Sequence, residues 1–198
     1  MDKYGVGQDA YCYPGTTVLS NRLNIRDDAE LFNAERDFSE LAASQIGFSP
    51  PPYDLSYLQY LHRTLFEDVY AWAGTIRTLD ISKGDTRFCN VNRIEPEAAK
   101  VFQAMARVGW YEGYAREALI IAIAESFGDL NMVHPFREGN GRAQRILFEH
   151  LILNAGFEVN WWCAQPQAWV DANIDAVVCN YSALEHIFDR CIGPAIPA

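Results

Sequence analysis

The chain has 198 residues, of which 49% are hydrophobic, so it is long enough to bury the core of one globular domain. Its net charge of −10 argues against DNA or RNA as a direct partner, because nucleic-acid phosphates would be repelled. The 5 cysteines have no CxxC spacing, which argues against a disulfide framework or a zinc site. We find no signal peptide and no apolar run of membrane-spanning length, which predicts a cytoplasmic protein without a membrane partner.

The N-terminal part of the chain is predicted to be an irregular arm followed by a helix. Residues 1–26 are rich in Tyr, Gly and Pro, which favours irregular structure. Asp27 or Asp28 can cap the following helix, because a carboxylate accepts hydrogen bonds from the N–H groups of the first turn. Apolar residues at helical spacing then predict that this helix extends to about Ser44.

A second helix is predicted after the proline-rich break at residues 47–52. We expect it to begin near Asp54 or Ser56 and to end near Gly74, because apolar side chains recur at helical spacing between those points. His62 lies on this helix, and we interpret it as a packing histidine rather than a catalytic one.

The pattern changes from helical to alternating in the next segment. Leu79 and Ile81 alternate with polar residues, and Lys83–Asp85, with the sequence KGD, is a turn signal. The sequence therefore predicts a β-hairpin over about residues 78–94, inside a chain that is otherwise helical.

The remainder of the chain is predicted to be helical. Pro96 suits the first turn of a third helix, and the apolar residues of 119–133 predict a central helix that leads into a glycine-rich loop. The helix after that loop is expected to stop at Gly156, and two more are expected near residues 166–178 and 181–191. No repeat or linker interrupts the chain, so we predict a single all-α domain with one hairpin.

The glycine-rich stretch His134–Arg145 reads HPFREGNGRAQR and directly precedes an apolar run at helical spacing. It therefore lies at a helix N-terminus, where backbone N–H groups and the helix dipole attract an anion. Gly139 and Gly141 can take positive φ and let the backbone close around a phosphate. Arg142 and Arg145 are three residues apart on one helix face, and their planar forks suit phosphate oxygens.

Two further residues of the stretch have the chemistry to act beside a phosphate. Glu138 is suited to hold a hydrated Mg²⁺ shared with the phosphates. His134 has the unperturbed pKa that a general base needs near neutral pH. Phe136 is expected to anchor the loop in the core, and Arg137 is expected to face solvent. The stretch predicts a polyphosphate cradle with a metal ligand and a base beside it.

The residues HPFREGNGR, followed by two residues and Arg145, resemble the full signature of the Fic family. The segment LHRTLFEDVYAWAGTIR resembles the helix that precedes the hairpin in that family. This resemblance implies the Fic fold, an all-α domain spanning residues 1–198 with its core at about 54–191. In that fold the hairpin at 78–94 is called the flap, and it holds an extended target segment by strand addition.

The resemblance also implies an activity, the transfer of AMP from ATP–Mg²⁺ to a Tyr, Thr or Ser hydroxyl of a target protein. In this interpretation His134 removes the hydroxyl proton, Glu138 holds the metal, and Asn140 holds an oxygen of the α-phosphate. The implied nucleotide-binding residues are Gly139, Asn140, Gly141, Arg142 and Arg145 of the signature, with Lys83 and Gly84 of the flap.

Two other interpretations of the signature stay open. In the related Doc branch a lysine stands in place of Gly141 and the nucleotide binds reversed, so that phosphate is transferred; the glycine here favours AMP transfer. A catalytically silent nucleotide-binding regulator is the second alternative. The complete set of signature residues argues against a site that has lost its chemistry.

The resemblance further implies protein partners. Many Fic proteins are restrained by a helix with the motif [ST]xxxE[GN], whose glutamate pairs with the arginine that corresponds to Arg145. At the pair Glu112 and Gly113 this chain has Val108 in place of the Ser or Thr. The chain thus resembles the toxin-type members, in which a small antitoxin protein supplies the inhibitory helix. Members with a similar YxYPG segment imply type II topoisomerase subunits as targets.

Overall fold

The computed structural model describes residues 9–197, so the first eight residues of the predicted N-terminal arm lie outside the described residues. The described part is mostly helical, which confirms the all-α prediction. Its helices are α1 Asp28–Ala43, α2 Leu55–Phe66, α3 Ile94–Arg107, α4 Arg116–Val133, α5 Asn140–Asn154, α6 Pro166–Asp175 and α7 Ser182–Cys191. No helix of the described part is long and apolar enough to cross a lipid bilayer.

The first two helices begin at the capping residues that the sequence indicates. The carboxylate of Asp27 accepts hydrogen bonds from the N–H groups of Ala29 and Glu30 at the start of α1. The carboxylate of Asp54 accepts from the N–H of Tyr57 at the start of α2. Both caps confirm predictions made from residue type and position alone.

Helix α2 ends at Phe66, so the prediction that it extends to about Gly74 is wrong. The N–H groups of Val69 and Tyr70 both bond the carbonyl of Phe66, which turns the chain away from the helix axis. Val69 and Tyr70 are as deeply buried as the helix itself. The apolar pattern therefore continues through the turn, and periodicity alone does not show where the helix stops.

Helices α4 and α5 form the centre of the molecule. Helix α4 packs against α3, α5 and α7, while α5 also packs against α2, which in turn supports α1. The side chains of Leu119, Ile123 and Phe127 on α4 are at most 1% exposed. Each such burial stabilises the fold by about 1.5–3 kcal/mol, so the corner between α4 and α5 rests on a well-packed base.

The predicted hairpin is present, with shorter strands than the pattern suggested. Strand β1, Ser82–Lys83, pairs antiparallel with β2, Thr86–Arg87, and Gly84 makes the turn with φ of 57°. The alternating residues Leu79 and Ile81 precede the strand and pack with Phe88 in a small apolar cluster beneath the hairpin.

A second two-stranded sheet was not predicted. Strand β3, Phe157–Val159, pairs antiparallel with β4, Ile192–Ala195, at the end of the described chain. Gly193 and Pro194 lie within β4, and residues of these types are depleted in strands. The segment therefore lacks a recognisable strand pattern, although its position after α7 places it beside β3.

Candidate active site

The signature stretch forms a sharp corner between α4 and α5, and two of its residues supply the unusual backbone angles. His134 caps α4 with φ of 45°, and Gly139 precedes α5 with φ of 79°. A Cβ on Gly139 would lie 2.4 Å from the ring of Phe66, so both the angle and the space require glycine. Gly141 has no positive φ because α5 begins one residue earlier, at Asn140, so that part of the prediction is wrong.

The side chain of Asn140 closes the corner. Its Oδ1 accepts from the N–H of Phe136 at 2.8 Å, and its Nδ2 donates to the carbonyl of Phe136 at 2.8 Å. Phe136 is fully buried, as expected of an anchor. Both ends of the Asn140 amide are thus used to shape the loop, while its role toward an α-phosphate oxygen stays a prediction.

His62 supports the corner from helix α2. Its Nδ1 accepts from the N–H of Gly74 at 2.8 Å, so the proton lies on Nε2, which donates to the carbonyl of Glu138 at 2.8 Å. The ring also stacks on Phe136 at a centroid distance of 3.8 Å. Burial lowers the pKa of His62 to about 4, so the ring is neutral. The packing interpretation fits this position, but the contact with the signature was not visible in the sequence.

The imidazole of His134 is neutral and oriented. Its Nδ1 lies 3.1 Å from the carbonyl of Asn131, so Nδ1–H donates and Nε2 carries the lone pair. One face of the ring stacks on Phe88 of the flap at a centroid distance of 3.7 Å. Burial lowers the pKa of His134 to about 3 and outweighs the opposing effect of the Asn131 carbonyl. In this neutral tautomer the lone pair that would accept a proton lies on Nε2, as a general base requires.

The predicted site residues all line one cleft of about 460 Å³. The signature supplies one wall, the flap residues Lys83 and Gly84 supply another, and helix α6 supplies a third that the sequence did not indicate. The α6 residues are Trp169, Val170, Asn173 and Ile174. They lie well beyond the signature in the sequence, and α6 reaches the cleft where Trp169 contacts Arg145 of α5 and Phe127 of α4.

Arg142 and Arg145, the two signature arginines on α5, have different surroundings. Arg142 donates to the carboxylate of Glu35 and, at 3.0 Å, to Ser39 Oγ, both on α1. Glu35 is only 6% exposed and also accepts from the hydroxyl of Tyr70. Arg142 therefore pairs with an acidic residue of a neighbouring helix and at the same time faces the cleft.

Arg145 lies over the ring of Trp169, with 5.1 Å between its guanidinium carbon and the ring centroid. Within residues 9–197, its buried Nε has no hydrogen-bond partner, and neither does the buried Oδ1 of Asn173. Burial and the nearby charge of Arg142 lower the pKa of Arg145. Unpaired buried polar atoms are costly, and these two belong to residues on the same cleft.

Arg137 is buried, so the expectation that it faces solvent is wrong. Its Nε donates to the carboxylate of Asp9 at 2.6 Å, and its side chain is 4% exposed. The N-terminal arm folds over the signature and supplies this partner. An ion pair between positions so far apart in the chain has no local signal in the sequence.

Glu138 has the chemistry to bind a magnesium ion together with a nucleotide. Its Oε1 accepts from the N–H of Gly139 at 3.1 Å, and the residue lines the cleft. Residues 9–197 contain no group of three or more His, Cys, Asp or Glu side chains that would hold a metal by themselves. Mg²⁺ is commonly bound by one or two carboxylates with phosphates and water, so a single carboxylate beside a phosphate cradle fits it.

Comparison with known proteins identifies the family. The Fic/DOC family model matches residues 52–152. The chain is 37% identical over 194 residues to the probable protein adenylyltransferase Fic of Escherichia coli K12, covering 98% of this chain and 97% of that protein. It is 39% identical over 194 residues to the protein of the same name from Salmonella typhimurium LT2, with the same coverage of 98% and 97%.

Solved structures share the overall fold. The Fic domain of Bep8 from Bartonella sp. 1-1C superposes with a TM-score of 0.86 at 27% identity, covering 93% of this chain and 94% of that domain. BepC from Bartonella tribocorum, solved with bound AMPPNP, gives 0.85 at 26% identity, covering 93% and 96%. A matching family model, two curated relatives that align almost end to end and a shared fold lead to one conclusion: the chain belongs to the Fic/DOC family.

Proposed function

We propose that this chain is a protein adenylyltransferase that transfers AMP from ATP to a Tyr, Thr or Ser hydroxyl of a target protein. The observation that carries the proposal is the pair of unpartnered buried atoms, Arg145 Nε and Asn173 Oδ1, on a cleft of residues 9–197 that also holds a neutral imidazole. The cleft offers a donor for an anion in Arg145 Nε and an acceptor for a polar heterocycle in Asn173 Oδ1. The names of the relatives and the AMPPNP and ADP bound to similar Fic domains support a nucleotide there.

The phosphates would bind at the start of α5. The first-turn N–H groups of α5 and the helix dipole attract an anion at that end, and Arg145 Nε donates to a phosphate oxygen. Arg142 keeps its bond to Glu35 and adds positive charge beside the β and γ phosphates. Glu138 would hold Mg²⁺, which when bound neutralises charge on the phosphates.

The chemical step follows from the state of His134. As the target hydroxyl oxygen forms a bond to the α-phosphorus, Nε2 of His134 takes the hydroxyl proton. The bond between the α-phosphorus and the oxygen that bridges to the β-phosphate breaks, and pyrophosphate leaves with that electron pair. The imidazole can act in this way because burial keeps it neutral and Asn131 fixes its tautomer. The flap edge beside Lys83 and Gly84 presents the target segment.

Labelled ATP distinguishes this function from its alternatives. We expect α-labelled ATP with Mg²⁺ to label protein in a bacterial lysate, and γ-labelled ATP not to do so. Label from γ-labelled ATP indicates Doc-like phosphotransfer. Tight ATP binding with no label from either nucleotide indicates a catalytically silent regulator and contradicts the proposal.

The finer parts of the proposal are a cytoplasmic toxin, a small antitoxin partner with an inhibitory glutamate, and type II topoisomerase subunits as targets. They are supported by the family resemblance. The buried Nε of Arg145, which has no hydrogen-bond partner within residues 9–197, is compatible with an incoming carboxylate. Such a carboxylate would compete with a phosphate for the same guanidinium. We expect co-expression with an antitoxin to suppress labelling and its Glu→Gly variant to restore it. Purified topoisomerase that takes no label would exclude the target.

A further inference from the structure

A fully buried arginine outside the signature joins three segments of the site. The guanidinium of Arg77, only 1% exposed, donates from Nε to the carbonyl of His134 at 2.8 Å and from Nη1 to that of Leu79 at 2.7 Å. Its Nη2 donates to the carbonyl of Cys89 and, at 3.5 Å, to that of Val133. Leu79 precedes β1 and Cys89 follows β2, so one side chain ties both arms of the flap to the end of α4.

Packing alone does not account for a buried guanidinium at this point. Burying a charged group is costly, and an apolar side chain of similar size would fill the space without that cost. The charge of Arg77 is offset by carbonyls at the negative end of the α4 dipole and by Asp80, whose carboxylate lies 3.9 Å away. Its planar fork reaches four carbonyls from three nitrogens, whereas an ammonium group has only three donors on a single nitrogen.

Backbone hydrogen bonds and one ring contact connect the same segments. The N–H of Arg77 donates to the carbonyl of Pro135 at 2.9 Å, and the N–H of Cys89 donates to that of Met132 at 3.0 Å. The ring of Phe88 then lies on the ring of His134. These contacts fix the position of the flap relative to His134, the proposed base.

The geometry points to Arg77 as a positioning residue that sets the flap, and with it the target hydroxyl, at a fixed place relative to His134. Arg77 is not among the residues that line the nucleotide cleft, so its main effect is on target presentation and it does not contact the nucleotide directly. This inference rests on the proposed function, because it assigns the flap the task of holding the target.

The test compares Arg77→Lys with Arg116→Lys. Arg116 is a matched control because it also donates to backbone carbonyls, those of Asp189 and Ile192, where the start of α4 meets α7. We expect R77K to lower transfer from α-labelled ATP to lysate protein at least about 30-fold, since small misplacements of reacting groups are that costly. The AMPPNP affinity of R77K should stay within about threefold of wild type. For R116K, both label transfer and AMPPNP affinity should stay within about threefold of wild type.

Two results would overturn the inference: folded R77K that labels lysate protein as well as wild type, or R77K that loses AMPPNP affinity by the same factor as transfer. If R77K does not fold, Asp80→Asn takes its place. The carboxylate of Asp80 accepts hydrogen bonds from the N–H of Val91 and from the side-chain amide of Asn90, at the surface of the flap base. Loss of this carboxylate would loosen the same two arms of the flap that Arg77 ties together. We expect D80N to lower transfer about three- to tenfold with unchanged AMPPNP affinity, and unchanged transfer would count against the inference.

Hydrogen exchange separates this inference from the proposed function. In R77K the backbone amides of position 77 and of Cys89 should exchange at least about tenfold faster, while those of α5 keep their rates. If wild-type protein labels nothing, the proposed function fails, and exchange still tests the anchoring of the flap. Unchanged exchange at Cys89 in R77K would refute that anchoring even in a protein that labels well.

Discussion

The signature loop and the flap face each other across one cleft, yet they are held in different ways. The loop is fixed from all sides by buried partners, with Asn140 bonded to Phe136, His62 bonded to Glu138 and Gly139 pressed against Phe66. The flap has strands of two residues each and touches the rest of the molecule mainly through its base. The groups for chemistry are therefore set by the core, whereas the flap, which we propose presents the target, depends on a small number of contacts.

The largest expected effect is on protein labelling, and it comes from a change in the signature loop. We expect His134→Ala to lower protein labelling by about 10²–10⁴-fold, the usual contribution of a general base. AMPPNP affinity should be unchanged, because the phosphate donors belong to α5. His186→Ala on the exposed face of α7 is the control and should label like wild type. Equal labelling by H134A would show that His134 is not the base.

Mild acid should destabilise the fold through the two buried imidazoles beside the signature loop. His62 and His134 have folded-state pKa values of about 4 and about 3, below the value of 6.5 expected in the unfolded chain. The unfolded state therefore binds these protons first, so stability is full above pH 6.5 and is lost as the pH falls below it. We expect the free energy of unfolding in urea to be about 4 kcal/mol lower at pH 5 than at pH 7. A flat profile over that window would contradict the burial of these two rings.

The two glycines of the loop should respond differently to alanine. Gly139→Ala must take a positive φ and push its Cβ into Phe66, so we expect it to destabilise the fold by about 2–4 kcal/mol. Gly141→Ala meets nothing within 4 Å and gains helix propensity, so its stability should be unchanged or up to about 1 kcal/mol higher.

Gly141→Ala should weaken nucleotide binding even though it does not weaken the fold. The added methyl of G141A would enter the space beside the phosphates, and we expect about tenfold weaker AMPPNP binding in a protein of full stability. Urea unfolding and isothermal titration measure the two properties separately. Normal AMPPNP affinity in G141A would show that the phosphates do not approach this turn.

The smallest effect is expected on the flap. Lys83→Ala removes a flexible point charge from a hairpin edge, so we expect AMPPNP binding to weaken less than about fivefold and stability to change by less than about 0.5 kcal/mol. The effect should disappear at high salt because exposed charges are screened. A loss much greater than about fivefold would show that the flap holds the phosphates as firmly as the loop does.

Local patterns predicted the helices, their caps and the hairpin, and the long signature placed all of its implied residues around one cleft. Two of the failures share a physical cause, which is contact between residues distant in sequence. The burial of Arg137 depends on Asp9, and the third wall of the cleft depends on how α6 packs. The end of α2 was misplaced because a buried turn carries the same apolar pattern as a buried helix.

The acids that pair with signature arginines come from the beginning of the chain. Asp9 and Glu35 neutralise Arg137 and Arg142, and both lie upstream of residue 52, where the family match starts. A fragment trimmed to the matched span would leave two guanidinium groups without their counter-ions. We therefore expect any minimal version for expression or grafting to need the N-terminal arm and first helix.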